Sequence, residues 1–197
     1  MQEYANMASQ AIPFLTAEQY LDIERGAEFK SEYWRGEMFD MSGATRSHNV
    51  IAFNTVGQLR EQLRLKSCEG YGSDMRVFVP KAGLYTYPDV TVVCGPPQFL
   101  DGQHDTLLNP AMIIEVLSPS TEAYDRGLKF ERYRSIDSLR QYLLLAQDRV
   151  QADLYTRQEA SQWLFTSASR LEDFLDLDSV GCRLSLAECY EKVEIPA

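Results

Sequence analysis

The chain has 197 residues, 45% of them hydrophobic and 24% charged, which suits the core of one ordinary domain and excludes a disordered or low-complexity chain. Its 19 lysines and arginines stand against 29 aspartates and glutamates, a net charge of −10. That field repels polyanions and excludes a high-affinity, non-specific DNA coat, but it leaves room for a local basic groove or an acidic site neutralised by bound metal.

From the amino terminus, residues 1–12 read as a flexible polar tail, and residues 13–197 as one domain. Thr16-Ala17-Glu18-Gln19 is a capping-box pattern that opens a short helix. Glu32 to Met41 reads as two strands around a turn at Gly36. From Ser47 to Leu65 the apolar residues Val50, Ile51, Phe53, Val56, Leu59 and Leu63 have helical spacing, which leaves Arg60 and Arg64 on a solvated face. After a turn at Gly70–Gly72, Met75–Val79, Val90–Val93 and Met112–Leu117 read as strands; two are continuous apolar runs suited to coverage on both faces. A long polar loop separates the second from the third. Ser118-Pro119-Ser120-Thr121 opens a helix to about Arg134. Gln141–Ala146 and Val150–Tyr155 form a hairpin, Trp163–Thr166 a further strand, and Ser185 caps a last short helix. The expected architecture is α/β, a mixed central sheet flanked by helices.

Cys68, Cys94, Cys182 and Cys189 contain no C-x-x-C pair and read as reduced structural thiols. No basic-plus-apolar leader and no run of ~18 apolar residues is present, so a cytoplasmic protein with no membrane partner is expected.

Three constellations could carry chemistry. In Tyr87-Pro88-Asp89-Val90 an acid stands at the mouth of an apolar strand, a position that a strand-entry turn alone would also explain. In Ile113-Ile114-Glu115-Val116-Leu117 a glutamate interrupts a buried run, and carboxylates are almost never fully buried unless paired or metal-bound. Asp125, Lys129 and Tyr133 follow at i, i+4 and i+8 on one helical face. Together they supply what metal-assisted phosphodiester hydrolysis needs. Asp89, Glu115 and the Val116 carbonyl offer hard oxygen ligands for Mg²⁺ (or Mn²⁺), and Lys129 offers a cation for the attacking water or the developing charge.

These segments resemble the Uma-two family, a restriction-endonuclease family of the PD-(D/E)XK nuclease superfamily. The resemblance runs from about Thr16 to Cys189. It is carried by Glu32-Tyr33-Trp34-Arg35-Gly36-Glu37, by His48 at a helix start, by Tyr87-Pro88-Asp89-Val90, by Glu115 through Thr121, and by Asp125-x-x-x-Lys129-x-x-x-Tyr133. It implies a restriction-endonuclease-like core, a divalent-metal site and a DNA substrate. Asp89 and Glu115 match the two acids, and Glu32 and Glu37 match early acidic positions, Glu32 the stronger candidate. The superfamily's lysine two residues after the glutamate is Leu117 here, and Lys129 is the implied replacement.

Asp74, at a strand entry, reads as a turn residue. His48 and His104 are too isolated for a zinc enzyme, and neither a phosphate-binding glycine loop nor a nucleophile elbow is present. The leading reading is a Mg²⁺-dependent endonuclease. The alternative is a nuclease-fold module that binds a protein or nucleic-acid partner without cleaving it. A two-carboxylate glycosidase is the weakest reading, since the aromatics form no evident sugar platform. Cutting both strands of a duplex commonly takes two sites, so a homodimer is expected.

Overall fold

The computed structural model describes residues 14–41, 43–159 and 161–195; the expected tail over 1–12 lies outside them. The Thr16 side chain accepts from the Gln19 N–H while the Gln19 side chain accepts from the Thr16 N–H, and this reciprocal cap opens α1 (Ala17–Gly26). The hairpin β1 (Ser31–Trp34) and β2 (Glu37–Asp40) turns through Arg35 and Gly36, both at positive φ, as a tight two-residue hairpin turn requires. Thr45 caps α2 (Arg46–Leu63), whose Ile51, Thr55, Leu59 and Leu63 are buried at helical spacing; Arg60 and Arg64 are exposed.

Next come β3 (Cys68–Gly72), β4 (Arg76–Val79), β5 (Leu84–Thr86), β6 (Val90–Cys94), β7 (Thr106–Leu107) and β8 (Met112–Leu117). A helical crossover is built from α3 (Glu122–Tyr124), a π-helical turn (Asp125–Lys129) and α4 (Phe130–Tyr133). Beyond it lie β9 (Gln141–Ala146), β10 (Ala152–Arg157), β11 (Trp163–Ala168), the hairpin β12 (Phe174–Leu177) and β13 (Cys182–Ser185), and α5 (Leu186–Cys189).

The result is a mixed α/β fold with a six-stranded sheet in the order β11-β10-β9-β8-β6-β3 and a five-stranded sheet in the order β2-β1-β5-β4-β7. In the larger sheet β8 and β9 are parallel and the other pairs antiparallel. A parallel pair needs a crossover, and the helical segment 122–133 supplies it. β8 is buried along its whole length. Met112, Ile114 and Val116 join a cluster with α2 and the β12–β13 hairpin, while Ile113 and Leu117 join a second cluster with Tyr133, Leu139 and Tyr142. Alternation along the strand puts Glu115 on the second face, under the crossover. Among the described residues no helix is long and apolar enough to cross a membrane.

Three expectations change. The helix expected as far as Arg134 is interrupted by the π turn. The Gly70–Gly72 segment is strand rather than turn: pairing with β6 overrides the poor strand propensity of glycine. Cys68 and Cys94 are not reduced thiols. Antiparallel register sets them directly opposite, with Cα atoms 4.0 Å apart, and they form a disulfide. Cys182 and Cys189 remain free and buried. Alkylation of the denatured, unreduced protein is therefore expected to add two groups by intact mass, and four after reduction; four without reduction would remove the disulfide.

Candidate active site

Asp89 owes its position to register. Val90 pairs with Ile114 across the antiparallel β6–β8 ladder, so the next step sets Asp89 against Glu115. β6 ends there and β8 continues, which leaves the Val116 N–H without a strand partner on that side. It donates instead to Asp89 Oδ2 at 2.7 Å. The N–H and C=O of one strand residue face the same neighbour, so the Val116 carbonyl is turned toward Asp89 as well. His48, in the first turn of α2, places Nε2 2.9 Å from Asp89 Oδ1.

Glu115 is 4% exposed and divides its two oxygens among three neighbours. Oε2 faces the Asp89 backbone N–H at 3.4 Å. Oε1 accepts from the Tyr133 hydroxyl at 2.9 Å and lies 3.0 Å from Lys129 Nζ. Lys129 also lies 3.3 Å from Glu32 Oε1 and 3.4 Å from Asp125 Oδ1, so three carboxylates surround one buried ammonium. The Thr86 hydroxyl on β5 donates to Glu32 and lies 3.3 Å from the Tyr133 hydroxyl, which ties the smaller sheet into the cluster.

Asp125 and Lys129 stand four residues apart on one face of the π turn, close enough to pair, and such turns are frequent at functional sites. The turn is anchored on both sides. The Tyr142 hydroxyl donates to the Asp125 carbonyl at 3.1 Å, and Arg126 Nη1 donates to the buried Asp153 at 2.6 Å.

Burial pushes the Glu115 carboxyl well above the ordinary glutamate value. Lys129 opposes the shift, and the nearby charges of Asp125 and Asp89 add to it. Burial raises Asp125 too, against the pull of Lys129. Burial alone would lower the Lys129 ammonium, but Glu115, Tyr133, Glu32 and Asp125 outweigh it and hold the charge in place. One ammonium thus balances one carboxylate fully, and the site favours an added proton or a second cation.

Of the residues singled out in the sequence, Asp89, Glu115, Val116, Lys129, Tyr133 and Glu32 come together. Glu37 does not: it sits opposite Trp34 on the outermost strand of the smaller sheet and is exposed. Asp74 is exposed and holds Lys30 at 2.9 Å, a turn contact. The sequence names His48 only at a helix start and as a rejected zinc ligand, and its contact with Asp89 depends on how α2 packs. Thr86 carries no signal in its own segment.

The donor set suits a hard cation. Among the described residues no three His, Cys, Asp or Glu side chains gather around one metal position. Mg²⁺ does not need such a cage: it keeps several waters and takes one or two carboxylates. Asp89 and Glu115 Oε2, with the Val116 carbonyl beside them, fit that requirement, while Lys129 occupies the opposite side of Glu115.

This architecture is that of a nuclease fold. It aligns with a TM-score of 0.71 and 17% identity to the crystal structure of "a putative nuclease belonging to DUF820" from Anabaena variabilis ATCC 29413, over 91% of this chain and 99% of that one. The model of the family Uma2, described as "Putative restriction endonuclease", matches residues 17–187, and the chain belongs to that family. It is 35% identical over 186 residues to "Uncharacterized protein slr1290" of Synechocystis sp. (strain ATCC 27184 / PCC 6803 / Kazusa), covering 94% of this chain and 96% of the relative. It is 38% identical over 152 residues to "Uncharacterized protein sll1609" of the same organism, covering 77% and 86%.

The raised carboxyl of Glu115 has a definite sign in stability. Its folded value lies above its unfolded one, so its contribution is complete below roughly pH 4.3 and is lost as pH rises through the folded value. Chemical denaturation of the metal-free protein is expected to show stability falling across roughly pH 5–9, and the Glu115→Gln protein to show a shallower fall. Equal slopes would place the shared proton elsewhere.

Proposed function

We propose that the chain is a Mg²⁺-dependent endonuclease, with Mn²⁺ an acceptable substitute, that hydrolyses phosphodiester bonds in DNA. The observation that carries this reading is Lys129 Nζ at 3.0 Å from Glu115 Oε1, on the other side of that carboxylate from Asp89. Leu117, where the superfamily places its lysine, is buried in the core on the same sheet face. A lysine from the crossover reaches that face from above and serves the same acid.

Asp89, Glu115 and the Val116 carbonyl would hold the Mg²⁺, which would supply a water of lowered pKa and polarise the phosphate. The protein's own groups supply position. The Val116 N–H and His48 hold the two oxygens of Asp89, and Tyr133 fixes the rotamer of Glu115. Lys129, held by three acids, keeps its protons at neutral pH and donates to the attacking water or to the charge that develops on the phosphoryl oxygens. Cleavage of both duplex strands calls for two such sites, so the reading includes a homodimer. The reading expects a cytoplasmic protein, where such a DNA substrate is met.

The test is metal-dependent cleavage of plasmid and single-stranded DNA. Asp89→Ala is expected to abolish it. Removal of Lys129 outright leaves three carboxylates, two of them buried, without their cation, a loss of about 3–5 kcal/mol. Lys129→Ala would therefore report on folding as well as on chemistry, and Lys129→Gln, which keeps a hydrogen-bond donor in place, is the cleaner variant. Its cleavage rate is expected to fall on the order of 10²–10³-fold with Mg²⁺ affinity nearly kept. Lys129→Arg is expected to rescue poorly, because a planar fork does not replace a compact point charge. DNA binding without metal-dependent cleavage by the wild type would favour the binding-module reading.

His48 acts through Asp89 rather than on substrate. His48→Ala is expected to weaken Mg²⁺ binding, read by calorimetry without DNA, by roughly 10–100-fold, as the loss of a ligand-orienting group does. His48→Gln is expected to recover part of it. Unchanged calorimetric affinity in His48→Ala would reduce the contact to a packing role.

A further inference from the structure

One cation beside the acid cluster has no acid of its own. Arg25, Arg126 and Arg149 each rest on carboxylates at 2.6–2.8 Å. Arg132, one turn along the crossover from Lys129, has no carboxylate within ion-pair distance among the described residues. It is nonetheless held. Its Cζ lies 3.9 Å from the Trp34 ring centroid, a stacking distance, and its Nη1 donates to the Tyr124 hydroxyl at 2.8 Å. Its other donors are not among the buried, unpartnered polar atoms of the described residues, so they reach solvent. A second guanidinium, Arg35 in the β1–β2 turn, lies 5.6 Å from the same indole and also lacks an acid partner there.

The position of this shelf ties it to the acid cluster. Trp34 and Glu32 alternate onto one face of β1, and Glu32 contacts Lys129. The Tyr124 ring lies 5.9 Å from Lys129 Nζ. Arg132 therefore stands immediately beside the Glu32–Lys129 end of the cluster. An arginine that merely shields an indole edge needs neither a hydroxyl anchor nor outward donors. A planar fork fixed by an aromatic face and a hydroxyl, with N–H groups free, is preorganised for a tetrahedral dianion or a phosphodiester oxygen pair.

We propose that Arg132, stacked on Trp34 and anchored by Tyr124, binds a backbone phosphate of a nucleic-acid strand, with Arg35 as a second phosphate contact. The identity of the polyanion rests on the nuclease reading; the anion site rests on the shelf. In a chain of net charge −10 such a site has to be local. The one acid in register with the shelf is Glu37, opposite Trp34, and it forms no ion pair with either arginine.

The test separates binding from cleavage by omitting metal. Fluorescein-labelled single-stranded and duplex oligonucleotides are titrated with the full chain in EDTA, by anisotropy, over a series of salt concentrations. Arg132→Gln is expected to weaken binding on the order of tenfold at low salt, the loss of one charge-assisted contact, and to lower the slope of log K against log salt by about one. Arg132→Lys is expected to keep the slope and lose part of the affinity. Arg35→Gln, on an exposed turn where folding is not at stake, is expected to act in the same direction with a smaller loss. Glu37→Gln is expected to strengthen binding, and Arg170→Gln, distant and paired with Asp173, to leave it unchanged. Wild-type affinity and slope in both Arg132→Gln and Arg35→Gln would overturn the proposal. So would failure of the wild type to bind either oligonucleotide, or equal competition by polyglutamate, which would make the shelf a site for an acidic protein. Binding that follows these arms without cleavage on adding Mg²⁺ would sink the nuclease reading alone.

Discussion

The buried Lys129 ammonium is the constraint on which the site is built. A charge taken out of water is costly unless opposite charges and hydrogen bonds surround it. Three carboxylates do so, and each comes from a different part of the fold: Glu115 from the central strand β8, Asp125 from the crossover, Glu32 from the smaller sheet. The ion cluster thus joins the two sheets and the helical segment between them. Three acids around one base cannot all be ionised at little cost, so the cluster is short of positive charge. The excess appears at Glu115 and Asp125, each 4% exposed and each held above its ordinary value by burial.

That shortage is easier to understand as a functional strain than as a structural economy. Apolar residues of similar volume would commonly stabilise such a position as well or better. The fold instead supports the cluster at its edges. Tyr133 and Thr86 satisfy the carboxylate oxygens, Arg126 and Tyr142 brace the π turn, and β8 keeps fully apolar neighbours on either side of Glu115. A second cation near Glu115 Oε2 would relieve the same imbalance that burial creates. Lys129 and the proposed metal ion would in this sense be complementary, each neutralising one oxygen of the same carboxylate.

Much of this was legible in the sequence where residue type conflicted with local pattern. Glu115 inside an apolar run and Asp89 at the mouth of another marked the adjacent ends of two strands that the structure pairs. The strands β8 and β9 were read at their observed bounds because continuous apolar runs of strand length leave little choice. Lys129 was harder. Its spacing from Asp125 says only that they share a face, and resemblance to the family supplied its partner. The remainder depends on long-range register. Thr86 meets Glu32 only because β5 pairs with β1, Cys68 meets Cys94 only because a glycine-rich segment completes the edge of the sheet, and His48 meets Asp89 only because α2 packs across the end of β6. The π turn has no local signature in Asp-Arg-Gly-Leu-Lys beyond its glycine.

If, as proposed, this acidic protein works on a polyanion, it must separate the charge that captures from the charge that reacts. Lys129 cannot draw a strand in from solution, because three carboxylates cancel its field and it is 6% exposed. Arg60 and Arg64 are free in solvent on the far half of α2, where long flexible side chains are screened and contribute little to a fixed geometry. Arg132 differs from both: half-buried, stacked on an indole and without a neutralising acid, it keeps its field and loses its freedom. Low entropy cost and an uncancelled charge are the two properties that positioning a phosphate requires. Lys129 and Arg132 thus stand one turn apart on the crossover in opposite environments, and the difference between them lies in the carboxylates the fold gives to one and withholds from the other.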